Sequence, residues 1–195
     1  MYKVVGTTQS RAGRVIWMLE ELGLGFELVV AKPRSAAAFA VNPAGKVPVL
    51  IDDGTAITDS TAIMHYLADK HAQLTYPAGT LDRARQDSMT HFLLDELDAA
   101  LWTAARHSFV LPAEMRVPAI KDTLRWEFAR SLKVLDRRMG DGPFVMGAQI
   151  TVPDIILTEC LGWAEDAGFP LAEVRLTDYL ARMRTRPAFV RANAR

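Results

Sequence analysis

The sequence predicts a small α/β domain followed by an all-helical one. Three observations predict it. Strand and helix patterns alternate through roughly the first 75 residues, an Asp-Gly pair joins two of the strands, and no strand pattern appears beyond "AQLTYPAGTLD".

"YKVVG" (Tyr2 to Gly6) is short, β-branched and stopped by glycine, which reads as a strand. Val15, Met18, Leu19 and Leu22 then repeat at the spacing of one helical face, and Gly23 and Gly25 end that helix. "FELVV" (Phe26 to Val30) is a second strand, so the first three elements form a βαβ unit with parallel strands. "SAAAFAVNP" is a weakly periodic short helix. "VPVLID" and "AITD" are two strands joined by Asp53-Gly54, a hairpin signal. "STAIMHYLADKH" is a helix capped by Asp59 or Ser60, with Ile63, Tyr66 and Leu67 inward. These elements make a four-stranded mixed sheet carrying helices on its faces.

In the second part, Leu93, Leu94, Leu97 and Leu101 mark one long helix, and Leu124, Phe128, Leu132 and Leu135 a second. "TVPDIILTECLGWAEDAG" is a third and Leu176 to Met183 a fourth. The expected division is residues 1–75, a linker at 76–82, and an all-helical domain at 83–195.

Half of the 195 residues are hydrophobic, and Lys plus Arg equals Asp plus Glu at 23 each. That balance gives no electrostatic case for nucleic acid or an acidic membrane as partner. Cys160 is the single cysteine and cannot form an internal disulfide, and no segment reaches the length of a membrane span. A cytoplasmic protein is the expectation. His65, His71, His91 and His107 have neither metal-ligand spacing nor cysteine partners, so no metal is expected, and Cys160 reads as core.

"GKVPVLIDDG" carries the first functional signal, because Pro48 sits where a buried strand begins. X-Pro is the one bond where cis costs little, so Val47-Pro48 is either a cis bond or an ordinary trans turn. A cis bond turns Val47 outward and leaves its N–H and C=O for an extended peptide. Just beyond the hairpin, Asp59 and Ser60 open a helix whose N-terminal N–H groups suit a carboxylate. Asp59 adds the opposite charge, and the pair matches the zwitterionic end of an amino acid. Capping alone also explains both residues.

Together "NPAGKVPVL", "DSTAIMHYLADKH", "RVIWMLEELGLGFE" and "TVPDIIL" resemble the glutathione transferases over nearly the whole chain. The resemblance implies a thioredoxin-like N-terminal domain that binds glutathione, with Lys46, Val47, Pro48, Asp59 and Ser60 as its contacts. It implies conjugation of the glutathione thiolate to a small hydrophobic electrophile, and a homodimer. "TVPDIIL" is structural in that family, and Thr151 with Asp154 reads as a capping box. Family members activate the thiol with Tyr, Ser or Cys between the first strand and helix. Here the segment is "GTTQSRAGRV", without tyrosine or cysteine, as in a bacterial-like member of Ser/Thr type. Ser10 is the first catalytic candidate and Thr8 the second, though Ser10 also reads as a helix cap. Arg11 and Arg14 are expected to face solvent. Trp102, Arg106 and Phe109 are candidates for the electrophile pocket or for helix packing. The rival readings are a noncatalytic interaction module and a glutathione-dependent isomerase.

Overall fold

β1 (Tyr2–Gly6) and β2 (Phe26–Val30) lie parallel and are joined by α1 (Ala12–Glu21) in a computed structural model that describes residues 1–195. α2 (Ala36–Val41), capped by Ser35, leads to β3 (Val49–Asp52) and β4 (Thr55–Thr58). Asp53 and Gly54 both take positive φ, as a two-residue hairpin requires. The sheet order is β2-β1-β3-β4, with β3 antiparallel to both neighbours. α3 (Ser60–His71) follows directly. Its far end is tied to the strands, where Tyr2 Oη lies 2.9 Å from His71 Nε2 and the Tyr66 hydroxyl donates to Asp52 at 2.6 Å. Lys70 pairs with the same carboxylate. The hydrogen bonds from Lys70 and Tyr66 hold Asp52 below the usual carboxylate range.

Every residue of α1 from Ala12 to Leu19 is buried. That run includes Arg14, only 2% exposed, which corrects its expected solvent position. An amphipathic helix offers one polar stripe to water, but α1 is covered all round over its first two turns. Arg11, in the turn before it, is half-buried.

The chain forms two compact units, Met1–Ala78 with Arg184–Arg195, and Gly79–Met183. The expected division did not include this return of residues 184–195 to the first unit. The return carries α9 (Pro187–Asn193), a short helix begun by proline that the sequence reading did not pick out.

In the second unit α4 (Leu81–Phe92) runs on through a π turn (Leu93–Asp98), α5 (Ala99–Ala105) and a second π turn (Arg106–Val110). Leu93, Leu97 and Leu101 are buried along it, as their spacing predicts. α6 (Ile120–Arg138) buries Leu124, Phe128, Leu132 and Leu135. α7 (Val152–Asp166) and α8 (Val174–Arg184) complete the set. No helix is long and apolar enough to cross a membrane. Cys160 is fully buried in α7, its Sγ 3.9 Å from Asp98 Oδ2.

Asp154 holds the start of α7. Its Oδ2 accepts the Thr151 N–H at 2.8 Å and hydroxyl at 3.0 Å, the return half of a capping box. Its Oδ1 accepts the Val145 N–H and the Tyr179 hydroxyl, both at 2.8 Å. Burial pushes the Asp154 carboxyl up to about 6, against the pull of these four donors. Asp154→Ala removes the carboxylate acceptor of all four, leaving Tyr179 only the residue-154 C=O at 3.3 Å, and should cost about 3 kcal/mol or more in denaturant unfolding. The raised value also has a sign. The folded state holds the Asp154 proton more tightly than the unfolded chain, so this contribution is full below about pH 4 and is lost as pH rises through about 6. Relative to Asp154→Asn, wild type should therefore lose roughly 3 kcal/mol between pH 4 and 7. Parallel stability curves for the two proteins would contradict this.

Candidate functional site

Three site segments meet at one edge of the sheet because of strand direction. β1 and β4 both run toward this edge and β3 runs away from it, with Val5, Val49 and Thr58 in one row. One residue past that row, β1 ends at Gly6 and β4 gives way to Asp59, while Pro48 precedes β3. The helix starts of α1 and α3 thus share this edge, each presenting partial positive charge.

The Val47-Pro48 bond is cis. Pro48 is buried, Val47 half-buried and Lys46 exposed. Neither the N–H nor the C=O of Val47 finds a partner within the chain. Asn42, 9% exposed, organises the loop ahead of it. Its Nδ2 donates to the Lys46 C=O at 3.0 Å and its Oδ1 accepts the Ala44 N–H at 3.0 Å. At Gly45, with φ of 61°, a Cβ would stand 2.7 Å from the Phe39 ring. Asn42 is a loop-holding residue that sequence reasoning missed. The available signal was Asn-Pro beside Gly, a turn composition that says nothing of what the side chain holds.

Asp59 caps α3, its Oδ1 accepting the Thr61 N–H at 2.9 Å and the Ala62 N–H at 3.0 Å. Its φ is 71°, outside the usual range for a residue with a side chain, and the carboxylate is exposed. Oδ2 accepts no hydrogen bond within the chain. The cap satisfies Thr61 and Ala62 but leaves the Ser60 N–H, and the Ser60 side chain is 4% exposed. Capping thus occupies one carboxylate oxygen of Asp59 and leaves the other exposed.

At the other helix start, the Ser10 hydroxyl donates to the Thr7 C=O at 2.8 Å and its oxygen accepts the Ala12 N–H at 3.2 Å. The cap position of α1 is Arg11, which makes no side-chain cap bond, and Ser10, one residue earlier, serves the first helical N–H from there. Thr8 is half-buried, and its hydroxyl has no hydrogen bond within the chain. A Cβ built on Gly6 would stand 2.5 Å from Ala12 Cβ, 3.5 Å from Val47 Cβ and 3.8 Å from Ser10 Oγ. Gly6 is therefore the place where the proline loop and the α1 start converge.

The description "Glutathione S-transferase, N-terminal domain" matches residues 10–70, and "Glutathione S-transferase, C-terminal domain" matches residues 118–190. A glutathione S-transferase of Escherichia coli O157:H7, GstA, is 31% identical over 153 residues, covering 76% of this chain and 73% of that protein. The chain belongs to the glutathione S-transferase family. Solved structures agree. A glutathione transferase from Methylococcus capsulatus str. Bath superposes with a TM-score of 0.84 at 30% identity, covering 98% of this chain and 97% of that one. The ternary complex of BphK, a bacterial member of the family, gives 0.86 at 28% identity, covering 97% and 96%. Within the family fold, the first unit is the thioredoxin-like part and the second the helical part. Trp102 and Arg106 lie one turn apart in the helical unit, Trp102 half-buried and Arg106 exposed with Nη2 2.9 Å from Thr103 Oγ1.

Gly6→Ala should be strongly unfavourable, because the added methyl meets a Cβ fixed to the backbone of α1 and nothing flexible can yield. A loss of about 1–3 kcal/mol is expected from thermal or denaturant unfolding, the ordinary cost of overpacking. An unchanged melting temperature would show that β1 and α1 do not hold this spacing in solution.

Proposed function

We propose that the chain is a glutathione transferase that binds glutathione along this edge and adds its thiolate to a small hydrophobic electrophile. The observation that carries the reading is Val47, whose N–H and C=O both stand unpaired next to a helix start equipped for a zwitterion. Val47 pairs with the cysteinyl backbone of glutathione as a further strand would, behind Lys46 and Pro48. The Ser60 N–H and hydroxyl take the γ-glutamyl carboxylate at the positive end of α3, and Asp59 Oδ2 takes the ammonium. No metal is needed for this chemistry. The relative from Escherichia coli, named as a glutathione S-transferase, supports the same reaction class. Homodimerisation and a cytoplasmic location belong to this reading, and light scattering in solution tests the first.

The thiol then lies against the start of α1. A free thiol titrates near 8.5, so useful ionisation at neutral pH needs a drop of about two units, or about 2.7 kcal/mol. The α1 N-terminus supplies about 0.3–1 kcal/mol, and a hydrogen bond to the charged sulfur about 1.5–3 kcal/mol. Thr8 and Ser10 are the hydroxyls in place. The Ser10 hydrogen must first leave the Thr7 C=O, whereas the Thr8 hydrogen is uncommitted. Both serve this proposal, Thr8 as a direct donor and Ser10 by turning its hydrogen toward the sulfur. Trp102 and Arg106 are proposed to contact the electrophile.

Two measurements test the reading. Asp59→Ala should weaken glutathione binding about ten- to a hundredfold by calorimetry, the loss of a charge-assisted hydrogen bond of about 1.5–3 kcal/mol. An unchanged dissociation constant would remove Asp59 from the site. Thiolate absorbance of bound glutathione against pH should shift upward by about one unit in Thr8→Val, since one unit corresponds to about 1.4 kcal/mol. It should also shift upward in Ser10→Ala, which in addition lowers the melting temperature by leaving the Ala12 N–H without its acceptor. If neither variant moves the curve, backbone N–H groups at the α1 start are the activators. Glutathione binding without conjugation of an aryl halide would favour the noncatalytic reading.

A further inference from the structure

The C-terminal end of α1 carries the wrong charges for a helix. Glu20 and Glu21 stand there with no basic residue in the last turn, although this end of a helix favours cations. The missing positive charge comes from residues 184–195. Arg186 grips Glu21 with two parallel hydrogen bonds, Nε to Oε1 at 2.7 Å and Nη2 to Oε2 at 2.8 Å. Arg191 Nε donates to Glu20 Oε2 at 2.8 Å and its Nη2 to the Glu20 C=O at 3.2 Å. Arg195 donates twice to Glu20 Oε1, at 2.9 and 2.6 Å, and lies 4.4 Å over the ring of Phe26, the first residue of β2. Trp17 completes the clasp, its ring edge-on to Phe189 at 4.9 Å and its Nε1 donating to Glu21 Oε1 at 2.8 Å. Both glutamates are nearly enclosed, at 10% and 8% side-chain exposure. Burial pushes Glu20 up, but the hydrogen bonds and charges of Arg191 and Arg195 outweigh it and leave the carboxyl below its ordinary value.

We propose that Arg186, Arg191 and Arg195 are positioning residues for the glutathione thiol, acting through α1. The inference rests on the site read above, since the thiol is seated at the other end of this helix. α1 spans ten residues, a rod of about 15 Å at 1.5 Å per residue. A rod clasped at one end transmits a tilt to the other. Around Ala12 the tolerance is small, because Gly6 admits no slack and the Ala12 N–H depends on Ser10. A displacement of well under about 1 Å there alters the hydrogen bonds to the sulfur, and a misplacement on the order of 1 Å can cost about a hundredfold in rate. The clasp thus belongs to the thiol site although it touches neither the thiol nor its donors.

The test compares wild type with Arg191→Ala/Arg195→Ala and with the milder Arg195→Ala, which removes one partner only. Amide hydrogen exchange at Ala12 and Gly13, read without glutathione, should speed up about tenfold in the double variant as the first turn loosens. Conjugation at pH 6.5 should fall about five- to tenfold, while the rate at pH 9, where the thiol ionises unaided, should stay within about twofold. Arg191→Lys/Arg195→Lys should recover most of the loss, because it restores the charge. A purely structural clasp would lower the melting temperature and leave the pH profile in place. A wild type that ionises bound glutathione, with folded variants whose pH profiles superimpose on it, overturns the proposal. So does unchanged exchange at Ala12 and Gly13. Faster exchange in a protein that never ionises glutathione even as wild type would instead overturn the reading of the site and leave the transmission along α1 standing.

Discussion

A Cβ on residue 6 would come within 2.5 Å of the Cβ of Ala12, so the end of β1 and the first turn of α1 meet only because Gly6 has no side chain. From this contact the rest of the edge follows. With α1 drawn against the strand end, the loop between them must fold back, and Thr7 receives both the N–H and the hydroxyl of Ser10. Val47, two residues ahead of the neighbouring strand, comes up beside the same glycine. Sheet direction then adds α3, since β4 runs parallel to β1 across the intervening antiparallel strand. One missing methyl group thereby brings a peptide-pairing residue and a helix start together, and strand polarity sets a second helix start beside them.

The two helix starts are built differently. At α3, Asp59 holds two amides with one carboxylate oxygen and keeps the other open, so the cap itself leaves an acceptor free. At α1, the cap position is Arg11 and has no side-chain bond, and Ser10 just before it uses both its oxygen and its hydrogen within the loop and the first helical N–H. The first arrangement suits a fixed ion pair with a substrate end that does not react. The second leaves the neighbouring Thr8 hydroxyl without a partner in the chain, which under the proposal above suits the group that must change its charge.

What the sequence made legible was local. Asp-Gly between alternating residues and Asp or Thr before a helical run each point to one backbone geometry, and the hairpin and the Asp154 cap are found as expected, while proline at the head of an apolar strand left two geometries, of which the cis bond is present. The spacing of the leucines likewise marked the helices of the second unit, although it could not reveal the two π turns, and Leu94, within the first of them, is only half-buried. What escaped was non-local. Arg14 reads as a surface charge because nothing in its neighbourhood says that α1 is covered on every side. The returning helix α9 is too short for a periodic signal, and its partners lie more than 160 residues away in the chain. Asn42 looks like any turn asparagine until its two hydrogen bonds are seen.

The clasp on Glu20 and Glu21 also imposes an order in time. Arg186 follows Glu21 by 165 residues, and Arg195 follows Glu20 by 175. At about 5–20 residues per second, a newly made chain carries α1 for roughly ten to thirty seconds before those guanidinium groups exist. During that interval the helix ends in two bare carboxylates at its own negative pole, its least favourable electrostatic state. The first strands and helices can assemble as they emerge, but the seat at the far end of α1 takes its final form only after the whole helical unit has been translated. A helix made well before its partners is therefore among the last parts to mature.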